Sequence, residues 1–123
     1  IIPHAGEWEQ AFRQAHAFET PLRAAATTAH TGALPATSFL AARPDSLVVT
    51  AVKVPEEGDG LIVRVCNYAS EAVDAELDFG WPIRRAERVN LAEESLEPLA
   101  VVDGRIVRFP LGAWEVATMR VEM

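Results

Sequence analysis

The residues best equipped for chemistry in this 123-residue chain are one cysteine, three histidines, three tryptophans and 18 carboxylates. In "GLIVRVCNYASEAVDAELDF" (60–79), Arg64 and Cys66 interrupt an apolar strand pattern and Asn67 closes it. A cysteine nucleophile needs a neighbouring base or cation to hold its thiolate. No histidine lies near Cys66 in the sequence, so it reads as a small buried hydrophobe. His4, His16 and His30 form neither an HxxxH nor an HExxH pattern, and His4 with Glu7 makes only a lone HxxE. His4 reads instead as a hydrogen-bonding group near the start of a helix, and no metal ligand set is assigned.

Glycosidic cleavage would need two carboxylates flanking one bond. The acids cluster instead at turn tips, "PEEGDG" (55–60) and "AEESLE" (92–97), or along one strand face, where they read as solvated surface. No GxSxG, GxGxxG or GxxxxGK motif occurs, so neither a serine nucleophile elbow nor a phosphate-binding glycine loop has support. Trp81 stands in the turn "FGWP" (79–82), where an indole can meet a sugar or cap the end of a core. No catalytic residue is assigned.

The elements that must position these groups are mostly strands. Trp8, Ala11, Phe12, Ala15 and Phe18 recur at helical spacing and predict one short helix over 7–19, stopped at Thr20-Pro21. A helix of this length is marginal alone, so its stripe is expected to dock, and left uncovered it would favour self-association. Residues 21–44 lack a sustained period and carry three prolines, the composition of an extended connection. Beyond Asp45, apolar runs at 47–54, 61–68, 72–79, 83–91, 96–102, 105–109 and 114–123 alternate with turn signals. These predict about seven antiparallel strands, because the connections are too short for parallel crossovers. "VDGR" (102–105) predicts a type I′ hairpin.

In 72–79 the phase is set by cost. Burying Val73, Leu77 and Phe79 yields roughly 1.5–3 kcal/mol each, and a one-residue slip would bury three carboxylates instead. The expected fold is mainly β, an antiparallel β-sandwich with one short N-terminal helix.

Bulk properties narrow the function. A formal net charge of −7 and the absence of basic runs exclude general binding to nucleic acid and argue against anionic membranes. No apolar run reaches the roughly 20 residues that span a bilayer. A lone cysteine rules out an internal disulfide and suits a reducing compartment, so a cytoplasmic location is expected. The opening "IIPHAGEW", without an initiator Met, reads as the continuation of a longer polypeptide.

"PHAGEW" (3–8), "FETPLRA" (18–24), "SFL" (38–40), "LVVTAVKVPEEGDGLIVRVCN" (47–67) and "RVNLAEESLEPL" (88–99) together resemble the C-terminal region of family-38 glycoside hydrolases, the alpha-mannosidases. The resemblance implies an immunoglobulin-like or galactose-mutarotase-like accessory domain. Residues 1–46 would be the tail of a larger sandwich with its connection, and 47–123 the small terminal sandwich. It further implies a parent enzyme that hydrolyses terminal alpha-mannosides with retention. Zinc and the catalytic residues would lie in a separate catalytic domain, and none of their motifs is present here. The implied partners are the catalytic and helical domains, with oligosaccharide at the rim. Arg64, Asn67, Trp81 and His4 are the substrate-rim candidates. A freestanding carbohydrate-binding module or an immunoglobulin-like interaction module are the alternative readings.

Overall fold

The computed structural model describes residues 3, 5–6, 11–29, 31 and 38–123 of a chain that divides into two compact units, Ile1–Leu34 and Pro35–Met123. In the first unit a helix, α1, spans Phe12–Glu19. Residues 7–10 of the expected 7–19 helix, with Trp8, lie outside the described residues, and Ala11 stands at the N-cap. Both the amide and the hydroxyl of Thr20 donate to the His16 carbonyl at 2.9 Å, closing the last turn where Pro21 could not continue it. Phe18 is 86 % exposed. Residues 21–29 are exposed and carry neither helix nor strand, as their proline-punctuated composition predicts.

The second unit is a two-sheet sandwich. Its strands are β1 (Leu40–Arg43), β2 (Leu47–Lys53), β3 (Leu61–Asn67), β4 (Val73–Phe79), β5 (Arg85–Val89), β6 (Ser95–Leu99), β7 (Val101–Val102), β8 (Ile106–Leu111) and β9 (Val116–Glu122). One sheet runs β1-β4-β8-β7 and the other β2-β3-β9-β5-β6, with every pairing antiparallel.

Two of these elements correct the sequence reading. The stretch 40–43, assigned to the extended connection, is a strand on the edge of the four-stranded sheet, with Leu40 and Ala42 packed against the core. Four residues are too few to show a period. The run 96–102, read as one strand, breaks at Ala100 into β6 and β7, which belong to different sheets. Pro98 lacks an amide donor, which is tolerable because β6 is an edge.

The core is where the inward phases meet. Val63 and Val65 from β3, Leu77 and Phe79 from β4, and Val107 and Met119 from β8 and β9 are buried to 1 % exposure or less. The register of β4 follows the cost argument, with Ala75, Leu77 and Phe79 inward and Asp74, Glu76 and Asp78 outward. Asp103 and Gly104 both take positive φ, 52° and 68°, and the Arg105 amide donates to the Val102 carbonyl at 3.1 Å, closing the predicted hairpin.

Candidate functional site

Strand alternation sends Val63 and Val65 into the core and turns Ile62, Arg64 and Cys66 to the outward face of the five-stranded sheet. Register places Val48 and Val116 beside Cys66, and Ala51 and Thr118 beside Arg64. The Arg64 Nε–H donates to the Thr118 hydroxyl at 3.0 Å, which lays the guanidinium stem across Thr118 and leaves that residue 4 % exposed. Arg64 has no carboxylate partner among the described residues. Half of this face is therefore apolar and partly exposed, with Val116 at 49 %, beside a cation that no acid among the described residues neutralises. Burial pushes the Cys66 thiol up, away from the thiolate that nucleophilic chemistry needs.

The other half of the face is charged and locked. Glu93, at a positive φ of 64°, folds inward so that only 6 % of its side chain is exposed. Its carboxylate accepts from Lys53 Nζ at 2.7 Å and from the Glu56 amide at 2.8 Å, and pairs with Arg120 at 3.9 Å. The Asn90 side chain shapes the turn, accepting from the Ala92 amide at 2.9 Å and the Glu94 amide at 3.0 Å. This clasp joins the two acidic loops that the sequence placed among solvated tips. The legible signal for it is Asn90 opening a turn; nothing marks which glutamate turns in.

Lys53 and the Glu56 amide hold the Glu93 carboxyl below the usual carboxylate range, and Glu56 with Glu93 raises Lys53. The clasp therefore contributes fully from above the unfolded carboxylate pKa of about 4.3 up to the unfolded lysine pKa of about 10.4. Its acid side is lost as pH falls through the depressed Glu93 value, and its lysine side as pH rises through the elevated Lys53 value. Acid titration followed by amide NMR is expected to show the Glu56 and Glu94 amides moving together below pH ~4. In Glu93→Gln that common step should vanish.

The sequence candidates fall in different places. Asn67 is fully buried: its Nδ2 donates to the Glu71 carbonyl at 2.8 Å and the Gly112 carbonyl at 2.9 Å, and its Oδ1 accepts from the Ala69 amide at 3.0 Å. It ties the exit of β3 to the turn before β9, and neither donor is left for a ligand. Trp81 packs on Phe39, ring centroids 5.6 Å apart, and on Phe79 at 6.2 Å, with its Nε1–H buried and unpartnered among the described residues. Trp81 lies beyond the end of β4, whereas Arg64 sits in the middle of β3 in the other sheet, so the structure does not join them into one site. His4 lies outside the described residues.

The four-stranded sheet presents a different outward surface. Glu76 bridges Arg43 at 2.9 Å and Arg108 at 2.7 Å across β1, β4 and β8, and Arg108 with Arg43 holds its carboxyl below the usual range. Asp78 pairs with Arg105 at 3.4 Å. The Glu76 ladder is paired on both sides and suits a face turned to water, while Asp78 Oδ1 is buried without a hydrogen-bond partner among the described residues.

Among the described residues no group of three or more His, Cys, Asp or Glu side chains could hold a metal ion, and no helix is long and apolar enough to cross a membrane. What the fold and its surfaces define is an antiparallel β-sandwich domain with one charge-paired face and one that is half apolar. Residues 46–119, from the entry of β2 into β9, match the family described as the glycosyl hydrolases family 38 C-terminal beta sandwich domain, and the chain belongs to that family. No curated protein matches the chain.

Proposed function

We propose that this sandwich is the non-catalytic terminal domain of a zinc-dependent retaining alpha-mannosidase and supports the catalytic domain by packing against it. Family membership supports the glycoside hydrolase setting. The observation that carries the packing is the contrast between the two outward faces. Desolvating the Glu76 ladder would strip paired charges of water at a net cost. Covering Val48, Ala51, Cys66 and Val116 yields about 25 cal/mol per Å² of apolar surface, and Arg64 offers its free guanidinium nitrogens to a carboxylate or carbonyl opposite.

In this reading, as membership of the family implies, zinc and the catalytic carboxylates lie in the catalytic domain. The residues ahead of β1 belong to a larger neighbouring sandwich, and the polypeptide works in the cytoplasm, where an unpaired Cys66 stays reduced. Arg64 and Trp81 are the residues we propose to reach a neighbouring domain or the active-site rim. Asn67 is left out because its amide is already occupied. Hydrogen exchange tests the packing. Amides 64–66 and 116–118 should exchange more slowly in a polypeptide that includes the catalytic domain than in the 123-residue chain.

A further inference from the structure

The charged half of the five-stranded face has an apolar residue beneath it. Strand alternation turns Ile62 outward, yet it is only 1 % exposed and stands apart from the cluster that fills the space between the sheets. Register sets it between Lys53 on β2 and Arg120 on β9, the two cations that Glu93 gathers. The cover over Ile62 is thus built from ion pairs: the stems of Lys53 and Arg120 flank it, and the 90–94 turn brings Glu93 down to their charged ends.

The closed arrangement carries two costs of its own. Glu93 takes a φ of 64°, which a residue with a Cβ disfavours, and Arg120 Nε is buried with no hydrogen-bond partner among the described residues. Lifting the turn relieves both, because Glu93 can leave the left-handed region and Arg120 can reach water. A cavity of about 370 Å³ lined by Glu56, Glu57, Ala92, Glu93, Glu94 and Arg120 gives the turn room to move. What holds it down is the Glu93 carboxylate, through Lys53 at 2.7 Å, the Glu56 amide at 2.8 Å and Arg120 at 3.9 Å. The other charges around it are acids that oppose its ionisation: Glu56 and Glu57 in the 55–60 loop, Glu94 in its own turn, and Glu87 on β5 opposite Arg120. Lys53 and the Glu56 amide outweigh them and keep the carboxyl below its usual range, so the contacts are complete at neutral pH and are lost as pH falls through that lowered value. We infer that the 90–94 turn is a latch over Ile62: neutralising Glu93 lifts the turn and opens Ile62 to solvent while the sandwich beneath stays folded. The latch lies in the charged half of the face, so it goes beyond the proposed docking of the Arg64 half and stands whether or not that docking occurs.

The test is methyl NMR of the 123-residue chain with a soluble nitroxide, which broadens methyl groups that reach solvent. In Glu93→Gln at neutral pH, broadening of the Ile62 methyls should rise at least about tenfold over the parent, since charge-assisted hydrogen bonds that hold the turn are gone. The methyls of Val63, Leu77 and Met119, all between the sheets, should stay shielded. In the parent, acidification should open Ile62 below pH ~4 and before those three residues. The inference is overturned if Ile62 stays shielded in Glu93→Gln, if that variant does not fold, or if Ile62 and the three core residues become accessible together in either experiment.

Discussion

Replacing Asn67 with alanine is expected to cost about 3–5 kcal/mol of stability, a third or more of what a domain of this size commonly has. The change removes three hydrogen bonds at once and strands the Glu71 and Gly112 carbonyls and the Ala69 amide in a site with no exposure. The chain partners of those groups lie in the 68–72 turn and the 112–115 turn, so both should loosen together. The second turn has a separate brace. Glu115 accepts from the Gly112 amide at 2.7 Å and pairs with Arg88, holding Trp114 at a φ of 57°. Asn67→Asp is the informative companion. It keeps the acceptor for Ala69 but turns a carboxylate oxygen toward two carbonyls, so it should be at least as damaging as alanine near neutral pH and less so once protonated. Urea unfolding of the three proteins, at neutral pH and near pH 4, measures both effects. If Asn67→Ala unfolds within about 1 kcal/mol of the parent, the turn does not depend on this amide.

Gly60→Ala is expected to be nearly as severe, for a steric reason. Gly60 has a φ of 107°, and a Cβ built on it would lie 2.4 Å from the Val121 carbonyl oxygen and 3.2 Å from the carbonyl carbon. The obstacle is backbone of β9, which cannot rotate aside as a side chain would. Either the Leu61↔Val121 pair opens or the strand shifts, and the strained φ adds about 1–3 kcal/mol of its own. A loss of at least about 3 kcal/mol in urea is expected. Gly58→Ala is the control. Its φ of 80° carries the same kind of strain, but nothing lies within 4 Å of the added carbon. The difference between the two variants isolates the clash, and equal losses would show that strain alone is responsible.

How far the sequence foretells this molecule depends on whether a residue acts through its own strand's period or through distant partners. The alternation in 72–79 predicts the inward and outward sets of β4 because the cost of a slip is local and large. The Asp103-Gly104 turn is legible for the same reason, since two residues determine its conformation. Asn67 is legible as a turn residue from its place at a strand end, although the two carbonyls it ties together could be known only from the fold. The Glu93 clasp is not legible: the three partners of its carboxylate come from 53, 56 and 120, and they meet it only when β2, β9 and the 90–94 turn are assembled. β1 is hidden by its shortness, and the split at Ala100 by the fact that a period does not say which sheet a strand joins. The family resemblance rests on 47–67 and 88–99 among other stretches, and the matched span 46–119 contains both.

On the proposed packing, the five-stranded face around Arg64 is covered by another domain while the Glu76 face stays in water. Amide hydrogen exchange, measured on the 123-residue chain and on a longer polypeptide that includes the catalytic domain, addresses it directly. Amides 48–51, 64–66 and 116–118 are predicted to slow by at least about tenfold in the longer polypeptide, corresponding to roughly 1.4 kcal/mol of added protection. Amides 74–78 and 106–108 should be unchanged. Equal exchange on both faces, or slowing confined to the Glu76 face, would show that the Arg64 face is not the one covered.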